Sequence, residues 1–317
     1  MKTFDEIYEE LQSADNSELN DLWQEAKKES ESAKKIAVIV CLIIDVLFIT
    51  LFFKHMTGPV FFKLHIIVFL LMINVIIFGV VTATSKMGKS QRQLNIKYKN
   101  IVINKIMNNF YDNLEYFPNK AMPEYIYKQL GYEYYNEYGS EDYVEAQIDN
   151  KYSIQMGEIH TQKRETYRDS EGKTHTRTIT KFHGLFAKII MHKSIKGELK
   201  IMQNGGLLFS KKLKMDSSEF EKYFDVKASN PIVGMQLLTA DVMDELVQFE
   251  NKTKMKYDIF IKDNELYLRF HSGNMFEPGN FKNGVLDKKV IHKYFYMLNF
   301  TYNLSSRLIN IVKDTHI

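Results

Sequence analysis

Two long apolar stretches near the start of the chain form its clearest pattern. Residues 36–53 include one charged side chain, and residues 64–83 include no Asp, Glu, Lys or Arg. Helices of these lengths span about 27–30 Å, which matches the hydrocarbon thickness of a bilayer. The alternative is a pair of buried core helices, but such helices rarely stay apolar on every face for so long. The pattern predicts a two-helix transmembrane hairpin within residues 34–86, with a turn at Gly58-Pro59.

Basic residues around these stretches predict an orientation. Four lysines lie in residues 27–35, and five Lys or Arg residues lie in residues 86–99, whereas the connecting loop has only Lys54 and Lys63. Basic residues concentrate on the cytoplasmic side of membrane proteins. We therefore expect a multi-pass protein of the cell membrane with both termini in the cytoplasm.

Asp45 and Asn74 are the polar residues deepest in the two apolar stretches. Asp45 lies nine residues after Ile36, and Asn74 lies nine residues before Ala83. An antiparallel hairpin brings Ile36 and Ala83 to the same side of the membrane, so it places Asp45 and Asn74 at nearly the same depth. One interpretation is a hydrogen bond that pins the hairpin or an oligomer. The other is an ion or proton path. Two helices provide too few residues to line an ion or proton path, so the sequence favours the hydrogen bond.

The first 33 residues form an acidic leader with predicted helical segments. They hold ten acidic and three basic residues, a net charge of −7, so the other 284 residues carry +10. Apolar residues at helical spacing predict short amphipathic helices. The leader either docks on the basic remainder of the chain or on a partner, or it is a solvated tail.

Residues 87–317 have the pattern of a cytoplasmic α+β domain with a mainly antiparallel sheet and flanking helices. Threonines at every second position from Thr174 to Thr180 indicate a strand with one wet face. Turn signals at Asp169–Gly172, Asn204–Gly206 and Asp263-Asn264 predict hairpins. Ser217 and Thr239 are predicted helix caps, and a long helix is predicted from about Lys288 to Val312.

Several packing residues within this domain resemble a known pattern. An F-x-G-L-F motif is followed by an acidic-aromatic F-E-x-x-F-x-V stretch, and the matching residues are Phe182, Gly184, Leu185, Phe186, Phe220 and Phe224. Together with the two apolar stretches, they make residues 30–280 similar to an uncharacterised bacterial membrane protein family, a domain of unknown function. The resemblance implies two N-terminal membrane helices and a cytoplasmic α+β domain. It also implies a weak partner candidate, a LemA-type membrane protein.

Composition and motifs exclude several functional classes. Hydrophobic residues make up 45% of the chain and charged residues 26%, with a net charge of +3, which excludes wholly disordered, collagen-like and histone-like proteins. Cys41 is the only cysteine, so no internal disulfide can form. The sequence has no P-loop, G-x-G-x-x-G, G-x-S-x-G or H-E-x-x-H motif. We predict no cofactor and no catalytic residue.

Candidate ligand-binding residues fall into three groups. His160, His175, His183 and His192 lie near predicted strands, but their spacing fits no compact metal motif, so no metal site is predicted. Acidic residues interrupt the tyrosines between positions 125 and 143, which argues against nucleic-acid binding. The third group is a basic cluster for anionic lipid headgroups or, alternatively, a solvated strand face: Lys193, Lys196, Lys200, Lys211, Lys212 and Lys214.

From these features we expect a membrane-anchored cytoplasmic module for protein interaction or scaffolding, in contact with the lipid bilayer. The alternative is a membrane-tethered enzyme or anionic-lipid-binding domain with a pocket near Gly184, where a glycine in an apolar strand suggests a close backbone approach.

Overall fold

The computed structural model describes residues 1–52, 60–85, 88–204 and 212–314. The chain divides into two compact units. The first, which we call the sheet unit, comprises Met1–Tyr8, Lys99–Glu277 and Ile291–Ile317. The second, the helical unit, comprises Glu9–Tyr98 and Pro278–Val290.

The sheet unit contains one eight-stranded antiparallel sheet with the strand order β1-β2-β3-β4-β8-β7-β5-β6. The strands are β1 (Asp112–Phe117), β2 (Glu137–Ile148), β3 (Tyr152–Arg168), β4 (Thr174–Ile190), β5 (Glu198–Gln203), β6 (Phe224–Ala228), β7 (Tyr257–Lys262) and β8 (Glu265–Phe270). Direct turns join β3 to β4 and β7 to β8, as the alternating pattern and the turn residues predicted. The predicted α+β class with a mainly antiparallel sheet is therefore confirmed for this part of the chain.

The helices vary widely in length. They are α1 (Phe4–Ser13), α2 (Ser17–Phe52), α3 (Val60–Ser85), α4 (Lys89–Tyr98), α5 (Asn104–Met107), α6 (Glu124–Lys128), α7 (Ser218–Glu221), α8 (Pro231–Leu237), α9 (Ala240–Thr253) and α10 (Lys288–Asp314). A π-helical turn, Lys99–Ile103, joins α4 to α5. The side chains of Ser217 and Thr239 accept hydrogen bonds from Phe220 N and Val242 N, so both predicted caps are present.

Both faces of the sheet are covered. On one face, Phe270 of β8 contacts Phe249 of α9 and Phe300 of α10, with ring centroids 5.8 and 6.1 Å away. On the other face, Phe186 of β4 meets Tyr127 of α6 edge to face at 5.0 Å. Because both faces are covered, the central strands are buried along most of their length, as seen in β7 and β8.

The helical unit is built from α2, α3 and α4. Asn74 of α3 contacts Asp45 of α2, and Ser90 of α4 contacts Glu29 of α2, so the chain returns antiparallel to α2. Apolar side chains nevertheless lie on the outside of this unit, where Ile36 is 60% exposed and Val75 is 72% exposed. This pattern is the reverse of that in the sheet unit, where large apolar side chains are mostly buried.

The predicted transmembrane hairpin is corrected by the structure. Over the four described ranges, no helix combines the length and the apolar character needed to cross a bilayer. The first apolar stretch is not a separate helix but the second half of α2, whose first half is rich in charged residues. Apolar patterning thus located two helices correctly, yet it was wrong about the transmembrane hairpin that they were expected to form. The turn at Gly58-Pro59 lies outside the described residues.

Candidate functional site

A buried lysine lies at the centre of a cluster of carboxyl groups in the sheet unit. Lys99 is 3% exposed and opens the π-helical turn between α4 and α5. A π-helical turn changes which residues of a helix face inward, and such turns are frequent at functional sites. This local irregularity brings a charged side chain among residues that the helical pattern alone assigns to the core.

A second irregularity brings a carboxylate to the same place. The register of β2 against β3 shifts between Glu141 and Val144, which marks a β-bulge. Asp142 within this bulge is fully buried and has a positive φ of 57°. Asp is among the few residues other than glycine that adopt this conformation readily. The bulge therefore turns the Asp142 carboxylate inward.

Lys99 bridges three carboxylates, two from β2 and one from the segment after β8. Its Nζ lies 2.7 Å from Oδ2 of Asp142, 3.2 Å from Oε2 of Glu141 and 3.0 Å from Oε1 of Glu277. The hydroxyl of Tyr116 on β1 donates to the other oxygen of Asp142. Charge-assisted hydrogen bonds of this kind compensate part of the cost of burying charges.

Glu158 on β3 adds a fourth carboxyl group beside this cluster. It is 4% exposed, and its Oε2 accepts a hydrogen bond of 2.8 Å from the backbone N–H of Met275. Its Oε1 lies 3.9 Å from Nε2 of His183 on β4. One ammonium group thus stands among four carboxyl groups, and the cluster is negative when all of them are ionised.

The surroundings shift the pKa of several of these groups. Burial raises the pKa of Glu158 to about 8, and the nearby Asp142 and Glu141 reinforce this shift. Burial also raises the pKa of Asp142 to about 6, although Lys99 and Tyr116 oppose the change. For Lys99, burial alone would lower the pKa, but Asp142 and Glu277 outweigh it and hold the pKa above its ordinary value. These shifts favour the charged form of Lys99 and the protonated form of Glu158.

An acidic cleft of about 470 Å³ opens next to the cluster. Its polar lining comes from β2, β3, β4 and the segment after β8, and consists of Ser140, Glu141, Glu158, His160, His183 and Asn274. The rings of His160 and His183 stack at 4.5 Å, and burial together with His183 lowers the pKa of His160. The cleft offers carboxylate and imidazole groups, so its charge favours cations over anionic headgroups.

Three carboxyl groups of the cluster are close enough to share a metal ion. Oxygen atoms of Glu141, Asp142 and Glu158 all lie within 4.8 Å of one another. Such oxygen ligands suit hard cations such as Mg²⁺ or Ca²⁺. The Lys99 ammonium, however, already contacts Glu141 and Asp142 and supplies the positive charge that an ion would bring.

Gly184 lies beside this cleft, directly opposite Ile159 in the strand register. Its φ is +153°, and a Cβ atom there would lie 1.9 Å from the carbonyl oxygen of Phe270 and 2.6 Å from the backbone nitrogen of Ser272. The glycine therefore permits a close backbone approach between β4 and the end of β8. The other F-x-G-L-F residues, Phe182, Leu185 and Phe186, are fully buried.

The acidic-aromatic stretch is also part of the core. Phe220 and Phe224 stack at 5.0 Å, and Phe224 lies 5.4 Å from Tyr257 of β7. Both motifs thus consist of residues whose described contacts are packing contacts. None of the six matched residues lines the acidic cleft, although His183, the variable position of F-x-G-L-F, does.

The intramembrane pair predicted from the sequence lies together in the helical unit. Asn74 Nδ2 is 3.0 Å from each carboxylate oxygen of Asp45. The sulfur of Cys41 lies 3.9 Å from the backbone oxygen of Asn74. These contacts join α2 to α3 and involve no wider polar path in the part of the unit that the structure describes.

The basic cluster is spread over several segments and is partly neutralised. Lys200 lies 3.7 Å from Glu198, and Lys212 lies 2.7 Å from Asp225. Lys193, Lys196 and Lys214 lie in loops, and Lys211 is outside the described residues. The four histidines do not converge as one group. His160 and His183 stack in the cleft, but His175 contacts Asp169 near the end of the β3–β4 hairpin, and the ring of His192 lies 4.8 Å from that of Tyr152.

Sequence reasoning named two residues of the acidic cleft, His160 and His183, but it missed the acidic residues of the cleft and a second buried charge, Arg269. Arg269 on β8 is 1% exposed, lies opposite Asp258 in the register, and places its guanidinium 4.5 Å from the ring of Phe182. Its Nη2 donates to Glu133 at 3.3 Å. An arginine within an apolar strand pattern, and the pair Glu141-Asp142 within a tyrosine-rich segment, were the available signals.

Comparison with known proteins gives one match. Residues 180–309 match a family model described as "Protein of unknown function (DUF3137)". The match includes the F-x-G-L-F and acidic-aromatic motifs and most of α10, and it covers less than half of the chain. No curated protein and no solved structure matches the chain. The predicted resemblance to an uncharacterised family is therefore confirmed for this region.

Proposed function

We propose that this protein is an interaction or scaffolding module that is anchored at a lipid bilayer through the apolar surface of α2 and α3. The observation that supports the proposal is the exposure of large apolar side chains on several sides of this helix pair. They include Ile36, Ile39, Leu42, Val46 and Ile49 of α2 and Phe69, Met72, Val75, Ile76 and Val80 of α3. A contiguous surface of exposed apolar side chains normally marks an interaction site.

Basic residues at one end of this apolar surface favour a lipid bilayer as the partner that the surface contacts. Lys34 and Lys35 precede the apolar part of α2, while Lys89 and Arg92 follow α3, and all four are exposed. Because the helices run antiparallel, these residues lie at the same end of the apolar surface. Basic residues beside an apolar surface attract anionic headgroups, at about 1 kcal/mol for each residue that reaches the membrane.

The sheet unit supplies the interaction part of the proposal. Its large sheet is covered on both faces, and its polar cleft is lined by carboxyl and imidazole groups, which can bind charged groups of a partner. Among the described residues, the cleft contains no nucleophile held by a neighbouring base, which catalysis by acyl transfer would need. A binding role is therefore the function that the geometry supports best.

Vesicle flotation of the full chain tests the proposal. We expect the chain to float with vesicles that contain anionic lipid and to stay with them after a high-salt wash, because apolar contacts persist when charges are screened. The double variant Val75→Lys and Ile76→Lys should float much less.

A matched control carries the same charge change on another exposed apolar pair. Ile232 and Met235 on α8 are 67% and 52% exposed. The double variant Ile232→Lys and Met235→Lys should float like the unchanged chain. The proposal is contradicted if the unchanged chain stays in the dense fraction, or if it forms a dimer without lipid that both Val75→Lys and Ile76→Lys disrupt.

A further inference from the structure

Strands β3 and β4 extend well beyond the rest of the sheet. Pairing of β2 with β3 ends at Gln162, and pairing of β8 with β4 begins at Leu185, whereas β3 and β4 stay paired out to Arg168 and Thr174. Residues 163–181 therefore form a two-stranded arm, about 20 Å long at the usual rise per residue. Nearly all of its side chains are exposed or half-buried, so both faces of the arm are open.

Local contacts hold this arm in shape. At its tip, the carboxylate of Asp169 accepts hydrogen bonds from the backbone of Glu171 and Lys173. Across the strands, Glu165 pairs with Arg177 at 2.7 Å and also with Lys163. A two-stranded hairpin is marginally stable by itself, so these contacts, together with its continuation into the sheet, support an ordered arm.

Along the arm, the backbone N–H and C=O groups of the β4 threonines point outward, away from β3. The backbone carbonyl of Gln162 accepts a hydrogen bond of 3.0 Å from the N–H of Asn136 on the β2 side, so the backbone groups of Gln162 point away from β4. The backbone N–H and C=O groups of its register partner Thr180 must then point away from β3. The same holds for Thr178 and Thr176, because the hydrogen-bonding direction of the backbone alternates from one residue to the next along a strand. The described residues provide no hydrogen-bond partner for these outward backbone groups.

The opposite edge of the arm is partly closed. The backbone N–H of Arg164 donates to Oδ1 of Asn136 at 2.7 Å, and Nδ2 of Asn136 donates to the Arg164 carbonyl at 2.8 Å. The Asn136 side chain thus occupies the position that a neighbouring strand would take on β3. The β4 edge has no such cover and remains the open edge of the arm.

Charge indicates what kind of strand this edge would accept. Residues 163–181 hold six basic and three acidic residues, a net charge of +3. From Thr174 to Ile190, β4 contains no Asp or Glu, while Arg177 and Lys181 lie along its open part. Arg168, which is exposed, lies on the threonine-bearing face. Opposite charges across neighbouring strands stabilise pairing, whereas like charges oppose it.

We propose that the β4 edge of this arm, Thr174 to Lys181, binds an extended acidic peptide segment of a partner protein by β-strand addition. The backbone groups of Thr176, Thr178 and Thr180 provide the main-chain hydrogen bonds, and Arg168, Arg177 and Lys181 select acidic side chains. The inference rests on the proposed function, of which it names the binding surface and the class of partner.

A binding measurement on the full chain tests the inference. The probe is a labelled nine-residue peptide in which Glu alternates with Val and Thr. Thr178→Pro removes an outward N–H without touching the hydrogen bonds to β3, and prolines are accepted at such edge positions. We expect affinity to fall about tenfold, as expected for the loss of one or two main-chain hydrogen bonds. Thr178→Val keeps the N–H and should bind within about twofold of the unchanged chain.

Two further measurements separate main-chain pairing from charge. A peptide that is N-methylated at alternate residues should lose binding to the unchanged chain, which removes any dependence on the folding of Thr178→Pro. Arg168→Glu should weaken binding about fivefold at low salt and less at high salt, since screening shortens the range of charge interactions. Lys227→Glu, an equal charge change on β6, should leave the affinity unchanged.

Several results would overturn the inference. They are equal binding of the N-methylated and unmodified peptides, equal binding by Thr178→Pro and Thr178→Val, or stronger binding of a short DNA duplex that Arg168→Glu abolishes. Vesicle flotation of the same samples separates the two proposals. A chain that floats but does not bind peptide contradicts only the arm inference, and a chain that binds peptide but does not float contradicts only the lipid anchoring.

Discussion

The helical unit and the sheet unit distribute apolar and polar groups in opposite ways. The sheet unit buries its aromatic residues on both faces of the sheet and surrounds Lys99 and Arg269 with carboxyl groups. The helical unit exposes most of the apolar side chains that the structure describes in the apolar parts of α2 and α3, and it places the amide of Asn74 against Asp45 between the helices. The sheet unit therefore buries most of its large apolar side chains, whereas the helical unit leaves many of its large apolar side chains exposed.

The same substitution in the two units should have opposite effects, and this is the largest difference that we expect. In Gly184→Ala, the new Cβ would overlap the backbone of Phe270 at 1.9 Å, and φ is unfavourable for alanine. We expect a loss of more than about 3 kcal/mol in the stability of the sheet unit. Gly79→Ala in α3 meets no atom within 4 Å and should stabilise its helix by about 0.5–1 kcal/mol.

Hydrogen exchange measured by mass spectrometry on the full chain can follow both units separately. Peptides from β4 should exchange much faster in Gly184→Ala, and peptides from α3 should exchange slightly more slowly in Gly79→Ala. Unchanged protection of β4 would show that the backbone approach at Gly184 is not required.

Removal of the buried ammonium should be the next largest effect. Lys99→Met leaves Asp142 and Glu277 buried without their cation, which typically costs about 3–5 kcal/mol. Lys97→Met, two residues earlier, removes an ion pair with Glu18 in which both side chains are at least one-third exposed. Pairs of that kind contribute about 0–1 kcal/mol.

Urea unfolding of both variants, followed by near-ultraviolet circular dichroism, checks this contrast. Equal midpoints for Lys99→Met and Lys97→Met would mean that protonation or water compensates for the loss of the ammonium group beside the buried carboxyl groups. In that case the buried ion pairs would not distinguish the two units.

The acidic cleft should also make the stability of the sheet unit depend on pH. The folded pKa of Glu158 is about 8, above its ordinary value of 4.5, so the folded state holds a proton that the unfolded state has lost between these values. The free energy of unfolding should therefore fall as pH rises from about 5 to 8, by on the order of 2–4 kcal/mol. The raised pKa of Asp142, about 6, adds to the fall in the lower half of this window.

Glu158→Gln provides the matched control. It keeps an oxygen that can accept the Met275 N–H but cannot ionise. Urea midpoints at pH 5, 6.5 and 8 should fall clearly for the unchanged chain and much less for Glu158→Gln. Parallel falls in the two proteins would assign the pH dependence to other groups.

The sequence predicted the parts of the fold that depend on local pattern. The strand indicated by the alternating threonines from Thr174 to Thr180 lies within β4, and the turn predicted at Asp169–Gly172 joins β3 to β4. Alternation and turn residues define such hairpins locally. Strands β1 and β2 were missed, because β2 lies in a segment where tyrosines and acidic residues obscure the alternation.

The candidate site could not be predicted, because its members are far apart in the chain. Lys99, Asp142 and Glu277 lie on a helical turn, a bulged strand and a loop, and only the tertiary structure brings them together. The π-helical turn and the β-bulge that orient them are deviations from regular pattern, and pattern analysis cannot detect them. Asp45 and Asn74 were easier to pair, since depth in two antiparallel helices depends on residue count alone.

The smallest expected effect concerns that pair in the helical unit. Asn74 Nδ2 lies 3.0 Å from both oxygens of Asp45, at the contact between α2 and α3. Polar pairs between helices in an apolar setting contribute about 0.6–2 kcal/mol, well below the effect expected for Lys99. A double-mutant cycle with Asp45→Leu, Asn74→Leu and the double variant isolates this contribution, because each leucine also adds apolar contact that the cycle subtracts. Thermal unfolding of α2 and α3 in detergent should show that the two single losses sum to more than the loss in the double variant. Strictly additive losses would mean that the hydrogen bond adds nothing to the association of the helices, and apolar contacts alone would then hold the helical unit together.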